Sequence, residues 1–201
     1  TEANNLALRG FPDRRQIVSV IEHDSILAAV PDAVCVPVLA DGRIDLDALS
    51  TALAGDARPA LVSLMAANNE TGVIQPIGEA VAIARRYGAL VHCDAVQAAG
   101  RLVLAFDALD LDLMSLSAHK LGGPAGAGAL VVREGLSLVP QIVGGGQEKR
   151  QRAGTENVPG IAGFGAVAAE AAAVLVDRLR LFFPTAAARR TLLLRLLDGK
   201  P

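Results

Sequence analysis

The sequence predicts an α/β fold built on a mostly parallel sheet, and three observations carry that expectation. Short β-branched runs alternate along the chain with helical periods, the order that builds βαβ units. The helical stretches run about three turns, enough to cross over between parallel strands. The apolar share is 52% of 201 residues and comes from Ala, Val, Leu and Ile, with 20 Gly and only 3% aromatics. That texture suits an α/β core better than an aromatic-rich sandwich.

Taken in order, residues 16–22 (QIVSVIE) form the first expected strand, and 25–30 form a short helix closed by Pro31. A strand over 33–39 runs into the Asp41-Gly42 turn. Asp45 is the N-cap of an expected helix over 45–54, whose Leu46, Leu49 and Leu53 supply the apolar face. Residues 60–66 (ALVSLMA) read as a buried strand. Pro76 leads into a helix over 77–87, with Arg85 and Arg86 in its last turn and Gly88 ending it. Strands follow over 89–93 (ALVHC), 112–116 and 127–133. An Ala-rich helix spans 161–176, and a helical pattern resumes over 189–197.

Composition narrows the function classes. The 19 Lys+Arg and 21 Asp+Glu leave a net charge of −2, without the basic stripe a direct nucleic-acid partner requires. The basic cluster Lys149-Arg150-Gln151-Arg152 reads as a solvated loop. No run of about 18 uninterrupted apolar residues occurs, which argues against a membrane span. Cys35 and Cys93 cannot build a disulfide framework, and neither belongs to a CxxC pair, so no metal site is expected. Both read as buried thiols of a reducing compartment. The chain opens at Thr1 without a basic or apolar leader, so a cytoplasmic location is expected, and both ends read as cuts.

Polar residues cluster just after strands. Asn68-Asn69-Glu70 follows 60–66, Asp94 follows 89–93, and Ser117, His119 and Lys120 follow 112–116. In parallel sheets ligands sit beyond the carboxyl ends of the strands, so these residues converge on one edge. Asp94 suits a helix N-cap for the next turn, with Gln97 closing a capping box. Lys120 lies among small and apolar neighbours before a Gly-rich loop, where an amine can serve as a nucleophile. An Asp and a Lys at neighbouring strand ends, 26 residues apart, suit pyridoxal phosphate: the lysine forms the Schiff base and the acid keeps the ring nitrogen protonated. Gly122, Gly123, Gly126 and Gly128 would let backbone approach a cofactor closely. No GxGxxG or GxxxxGK[ST] pattern occurs.

The run Ser117-Ala118-His119-Lys120 is joined by His92-Cys93-Asp94-Ala95-Val96-Gln97 and by Asn68-Asn69-Glu70-Thr71-Gly72. With Thr1-Glu2-Ala3-Asn4-Asn5-Leu6, Gly144-Gly145-Gly146-Gln147-Glu148 and Arg152-Ala153-Gly154-Thr155-Glu156-Asn157, these segments resemble the cysteine desulfurases of the NifS/IscS type. Those are class V aminotransferase relatives. The match runs in order from residue 1 to about 175. The resemblance implies a three-layer α/β/α large domain of the pyridoxal-phosphate transferases over 1–175, incomplete at both ends, and the start of a linker or small domain over 176–201. It further implies that Lys120 carries the cofactor, that Asp94 pairs with the ring nitrogen, and that Gln97 bonds the phenolic oxygen. By the same resemblance His23 stacks on the ring as a catalytic group, and Asn69 lies near the ring and the substrate carboxylate. Thr1, Ser117 and His119 would bind the phosphate, while Thr155 would reach the phosphate of the other subunit in a homodimer. On the residues alone, His23 reads as a surface histidine at a helix start.

The resemblance implies L-cysteine as substrate, a persulfide on a catalytic cysteine, and delivery of sulfur to an iron–sulfur scaffold or a tRNA-thiolation acceptor. The chain departs from the family in having no cysteine after Thr155, so the catalytic cysteine is expected beyond Pro201 and the chain alone is expected to be inactive. The alternatives are another class V enzyme, such as a selenocysteine lyase or an aminotransferase, and a non-catalytic remnant that only dimerises or binds an acceptor.

Overall fold

The computed structural model describes residues 1–182, so the helix expected over 189–197 lies outside the described residues. Six strands form one sheet: β1 (Arg15–Ser19), β2 (Val34–Val36), β3 (Ala60–Met65), β4 (Leu90–Asp94), β5 (Leu113–Ser117) and β6 (Gly128–Val132). Their order is β2-β1-β3-β4-β5-β6. The first five pair in parallel, and β6 is antiparallel to β5. The connection over 118–127 is too short for a crossover, so β6 has to return antiparallel.

Helices cover both faces. α1 (Glu2–Arg9) and α2 (Asp24–Leu27) lie on one, and α3 (Leu46–Ala54) and α4 (Ile77–Arg86) on the other. The second face also carries Ala95, Ala98, Leu109 and Leu111 from the β4–β5 connection. β3 and β4 are buried along their whole length, as central strands covered on both sides must be. Their alternation sends Leu61 and Leu90 toward α1, and Val62, Val91 and Cys93 toward α3 and α4. The three-layer α/β/α expectation therefore holds.

Local chemistry explains the boundaries. Asp45 caps α3 by accepting from the Ala48 N–H at 2.9 Å, and Gly88, at φ 63°, ends α4. α1 was not anticipated. Its inward stripe is Asn4, Ala7 and Leu8, so a polar residue opens the i, i+3, i+4 pattern. β1 stops at Ser19, three residues before its expected end, because the chain turns there and folds Glu22 back under the sheet edge. β2 is shorter than expected and forms the sheet edge, which overturns the expectation for Cys35: that thiol is exposed.

α5 (Val158–Phe182) begins three residues earlier than expected and runs further. Its first 18 residues, Val158–Leu175, have a mean hydropathy of 1.7, which is long and apolar enough to cross a membrane. The test for an uninterrupted apolar run passes over this stretch because Glu170 interrupts it. α5 also seats on the loop after β5. A side chain at Gly123 would come within 2.7 Å of Val167, and one at Gly163 within 3.0 Å of Pro124. Gly123 thus gives its space to a helix rather than to a ligand.

At the amino end of β4 and β5, Asp112 is buried and accepts from the Val91 N–H at 2.7 Å and from Arg85 Nη1 at 2.7 Å. Arg85 and Arg133 both pair with Asp110 as well. Every charge of this cluster has a partner.

Two further ionisable groups are buried. His92 is held between Ser63 Oγ, 2.8 Å from Nδ1, and Ser115 Oγ, 2.9 Å from Nε2. Burial pulls its pKa down to about 4, against a pull upward from Asp94, so the ring is neutral at pH 7. Glu22 accepts from Ser19 Oγ and from the Met65 N–H, each at 2.9 Å through Oε1. Burial pushes its pKa up to about 8, with the Asp94 charge adding to that effect.

These shifts act on stability in opposite senses. Unfolded Glu22 releases its proton near pH 4.5 while the folded group keeps it to about 8, so its contribution is full below 4.5 and is lost as pH rises through that window. His92 contributes fully above its unfolded value of 6.5 and is lost as pH falls toward 4. From 6.5 to 8 Glu22 acts without that offset. Chemical denaturation of wild type and Glu22→Gln should show the wild type's relative stability falling by on the order of a few kcal/mol between about pH 5 and 8.5. A pH-independent difference would mean that Glu22 is ionised in the fold.

Candidate functional site

The carboxyl ends of β1, β3, β4 and β5 face one edge of the sheet, and the site begins with the last residue of β4. Asp94 is 6% exposed. Its Oδ1 accepts from the Val96 N–H at 3.0 Å, capping the turn that follows, and its Oδ2 accepts from Asn4 Nδ2 at 2.7 Å. The capping expectation is met by one oxygen. Gln97 lies half-buried in that same turn, and no bond from its side chain closes a capping box among the described residues.

Lys120 sits in a single 3-10 turn, Ala118–Leu121, immediately after β5. The turn closes because the Ala118 N–H donates to Ala127 O, the Gly123 N–H donates to Ala118 O, and Gly122 adopts φ 88°. Lys120 is half-buried, and its amine makes no hydrogen bond among the described residues. Ser117 Oγ lies 2.8 Å from His119 Nδ1, so two of the expected phosphate ligands are already paired. Arg101 ties the two loops together: Nη1 donates to Gln97 O and Nη2 to Lys120 O, each at 3.1 Å. The backbone of the acid's turn and that of the lysine's turn are thereby held by one guanidinium.

From β1, the turn at Glu22 delivers His23 as the N-cap of α2. Its Nδ1 accepts from the Ser25 N–H at 3.0 Å, which leaves the neutral ring's proton on Nε2. His23 is exposed, so the surface-cap reading and an open ring face coexist. After β3, Asn68 organises the loop: its Oδ1 accepts from the Glu70 and Thr71 N–H groups at 2.9 Å. Asn69 is exposed and donates to Glu70 Oε1 at 2.7 Å.

Thr1 is the exposed N-cap residue of α1. Thr155 is exposed on the segment that precedes α5. That segment is drawn to the start of α1 by Arg152, whose Nε donates to Glu2 Oε1 at 2.7 Å. The Arg152 cation holds the Glu2 carboxyl below its ordinary range.

The fold thus brings Asp94, Gln97, Ser117, His119, Lys120 and His23 to one sheet edge, with Thr1 on the adjoining helix. Sequence reasoning missed Asn4, Ser25, Arg101 and Glu22. Of these, Asn4 carried a signal, since it interrupts an apolar stripe, and so did Glu22, the one acid in the expected strand over 16–22. Cys93 is fully buried, and burial pushes its thiol far above the ordinary range, Asp94 and Glu22 adding to the effect. Cys35 lies on edge strand β2, away from β4 and β5.

The family model for aminotransferase class-V matches residues 1–179. The cysteine desulfurase of Cereibacter sphaeroides is 46% identical over 181 residues, covering 84% of this chain and 46% of the relative. The IscS-like cysteine desulfurase of Mycobacterium tuberculosis is 40% identical over 216 aligned positions, covering 99% and 53%. Among solved structures, a NifS-like protein from Rickettsia africae superposes with a TM-score of 0.82 at 42% identity, covering 85% of this chain and 48% of that one. The structure of SspA in complex with cysteine gives 0.78 at 34%, covering 83% and 52%. The chain spans about half the length of the curated relatives it matches. Its mostly parallel sheet agrees with the fold of these solved structures, and the chain belongs to the aminotransferase class-V family.

Proposed function

We propose that the whole protein is a pyridoxal-phosphate-dependent cysteine desulfurase and that this chain supplies its cofactor-binding part. One observation carries the reading: a buried carboxylate and an uncommitted lysine stand at the ends of paired strands β4 and β5, with Arg101 joining their loops. The donor set fits the group. Asp94 gives each oxygen one donor and keeps lone pairs for a ring N–H. Lys120 offers a primary amine, and the start of α1 offers Thr1 and the helix's positive end for a phosphate.

When bound, pyridoxal phosphate supplies an electron sink for bonds at the substrate α-carbon. The chain's own residues do the rest. Lys120 would anchor the cofactor through its amine, and Asp94 would hold a proton on the ring nitrogen. Gln97 fixes the phenolic oxygen, and Thr1, Ser117 and His119 take the phosphate, joined by Thr155 across a homodimer. His23 would stack on the ring, and Asn69 would orient the substrate carboxylate.

In the overall reaction the C–S bond of L-cysteine breaks and the sulfur forms an S–S bond with an enzyme thiolate. The three-carbon remainder gains the proton that completes L-alanine. The persulfide then passes its sulfur to an acceptor protein, such as an iron–sulfur scaffold or a tRNA-thiolation enzyme. Neither cysteine present suits the nucleophile, since Cys93 is shut in the core and Cys35 lies on the far edge strand. The thiolate therefore belongs to the part of the protein outside this chain. Two unpaired thiols also suit a reducing compartment, which we take to be the cytoplasm.

The cofactor reading predicts that incubation with pyridoxal phosphate and then borohydride leaves a stable adduct on Lys120, read by peptide mass. Trapping spread over surface lysines, or an undiminished yield in Lys120→Ala, would overturn it. Arg101→Ala should weaken pyridoxal phosphate binding about tenfold, since two hydrogen bonds from a charged donor are lost between the loops. An unchanged dissociation constant would show that the loops hold their spacing without it.

A further inference from the structure

We propose that Asn4 and Ser25 are positioning residues that join the Asp94 carboxylate to the His23 imidazole through one directed chain of hydrogen bonds. The catalytic meaning of the chain rests on the cofactor reading above, whereas its existence does not.

The direction follows from donor and acceptor chemistry. Asn4 Nδ2 lies 2.7 Å from Asp94 Oδ2 and 2.9 Å from Ser25 Oγ. An ionised carboxylate only accepts, so the amide nitrogen has to face Asp94; the flipped amide would set oxygen against oxygen. Both hydrogens of Nδ2 are then spent, one on each partner. Ser25 Oγ, having accepted, turns its own hydrogen to His23 Nδ1 at 2.9 Å. The Ser25 N–H donates to the same nitrogen at 3.0 Å. Nδ1 thus receives two donors and is closed to a proton, and Nε2–H is the only neutral tautomer the chain permits.

Burial keeps this arrangement from being incidental. Asn4, Ser25 and Asp94 are 3%, 8% and 6% exposed, so water does not take the place of a missing link. The three come from α1, α2 and the end of β4, as far as 90 positions apart in the sequence. Asn4 occupies the inward stripe of α1 beside Ala7 and Leu8, where an apolar side chain would anchor the helix equally well. Its Oδ1 is left buried without a partner among the described residues. A residue serving packing alone would not leave that acceptor stranded. Asn4 therefore sets the Asp94 carboxylate and, through Ser25, the tautomer of the His23 imidazole.

The test has two arms. In the chain without cofactor, nuclear magnetic resonance should show both Asn4 side-chain amide protons protected from solvent exchange, and the neutral His23 ring protonated at Nε2. Ser25→Ala should release one of the two amide protons and Ser25→Thr should restore it. Amide protons that exchange as fast as those of exposed Asn69, or a ring protonated at Nδ1, would overturn the proposal. In the second arm, Asn4→Ala should weaken pyridoxal phosphate binding about tenfold in the wild-type background and shift the visible absorption band. In an Asp94→Ala background the same change should have less than a twofold effect, because the residue it acts through is gone. A tenfold loss that persists there would mean that Asn4 acts only on the fold, and would also overturn the proposal. If wild type yields no borohydride-trapped Lys120, the cofactor reading falls, and the exchange and tautomer measurements decide the hydrogen-bond chain alone.

Discussion

A carboxylate removed from water at the end of a strand must be answered by donors brought to it, and Asp94 imposes that demand on everything around it. An unpaired charge in such a place costs far more than any single packing contact returns. The first donor, the Val96 N–H, comes with the turn itself. The second comes from Asn4, and it can arrive only if α1, which packs on β5 and β6, brings Asn4 to the end of β4. Once α1 is there, Ala7 and Leu8 close the core that also holds Val18, Ile26, Leu61 and Leu90. Each fully buried aliphatic side chain in that layer is worth about 1.5–3 kcal/mol, so the polar contact chooses the position and the apolar ones hold it. The same contact brings Ser25 and His23 into line.

The two ends of the sheet are built on different terms. At the amino end, Arg85, Arg133, Asp110 and Asp112 satisfy one another, and Asp112 also takes a backbone donor. No charge in that cluster is left without a partner. At the carboxyl end, the amine of Lys120 has no hydrogen bond among the described residues, Asp94 keeps spare lone pairs, and Asn4 Oδ1 and Glu22 Oε2 are buried without partners. Unsatisfied polar groups are costly where water is excluded; two of the three such oxygens among the described residues, Asn4 Oδ1 and Glu22 Oε2, lie at this end, and the third, Gln16 Oε1, lies at the start of β1. The locked end lets the open end be tolerated, because β4 and β5 are pinned in register at Val91 and Asp112, at the opposite end of the strands from Asp94 and Lys120.

Much of this was readable from periodicity. The central strands declared themselves because they are apolar throughout, and α3 and α4 because their caps and stops are local signals. What stayed hidden depended on pairings between distant segments. Asn4 and Ser25 mean nothing until α1 and α2 are laid beside β4. Arg101 reads as one more surface arginine until the loops after β4 and β5 lie side by side. The exposed thiol of Cys35 was misjudged because a β-branched run looks the same at a sheet edge as at its centre, and only strand order distinguishes them. The glycines after Lys120 were assigned to ligand approach, yet the clearance at Gly123 is filled by Val167, a neighbour more than 40 positions away.

Asp94 and His23 also show why a structural reading and a functional one are poor rivals when the unit of choice is the residue. Each is a helix or turn cap, as local chemistry demands, and each satisfies that demand with one atom. Asp94 caps with Oδ1 and leaves Oδ2 to Asn4. His23 caps with Nδ1, and its Nε2 makes no hydrogen bond among the described residues. The cap is what makes the remaining atom useful, because it removes the rotation and the tautomeric freedom that would otherwise blur its position. A side chain with two polar atoms can therefore satisfy the fold's local demand with the first and keep lone pairs or a proton for other partners at the second.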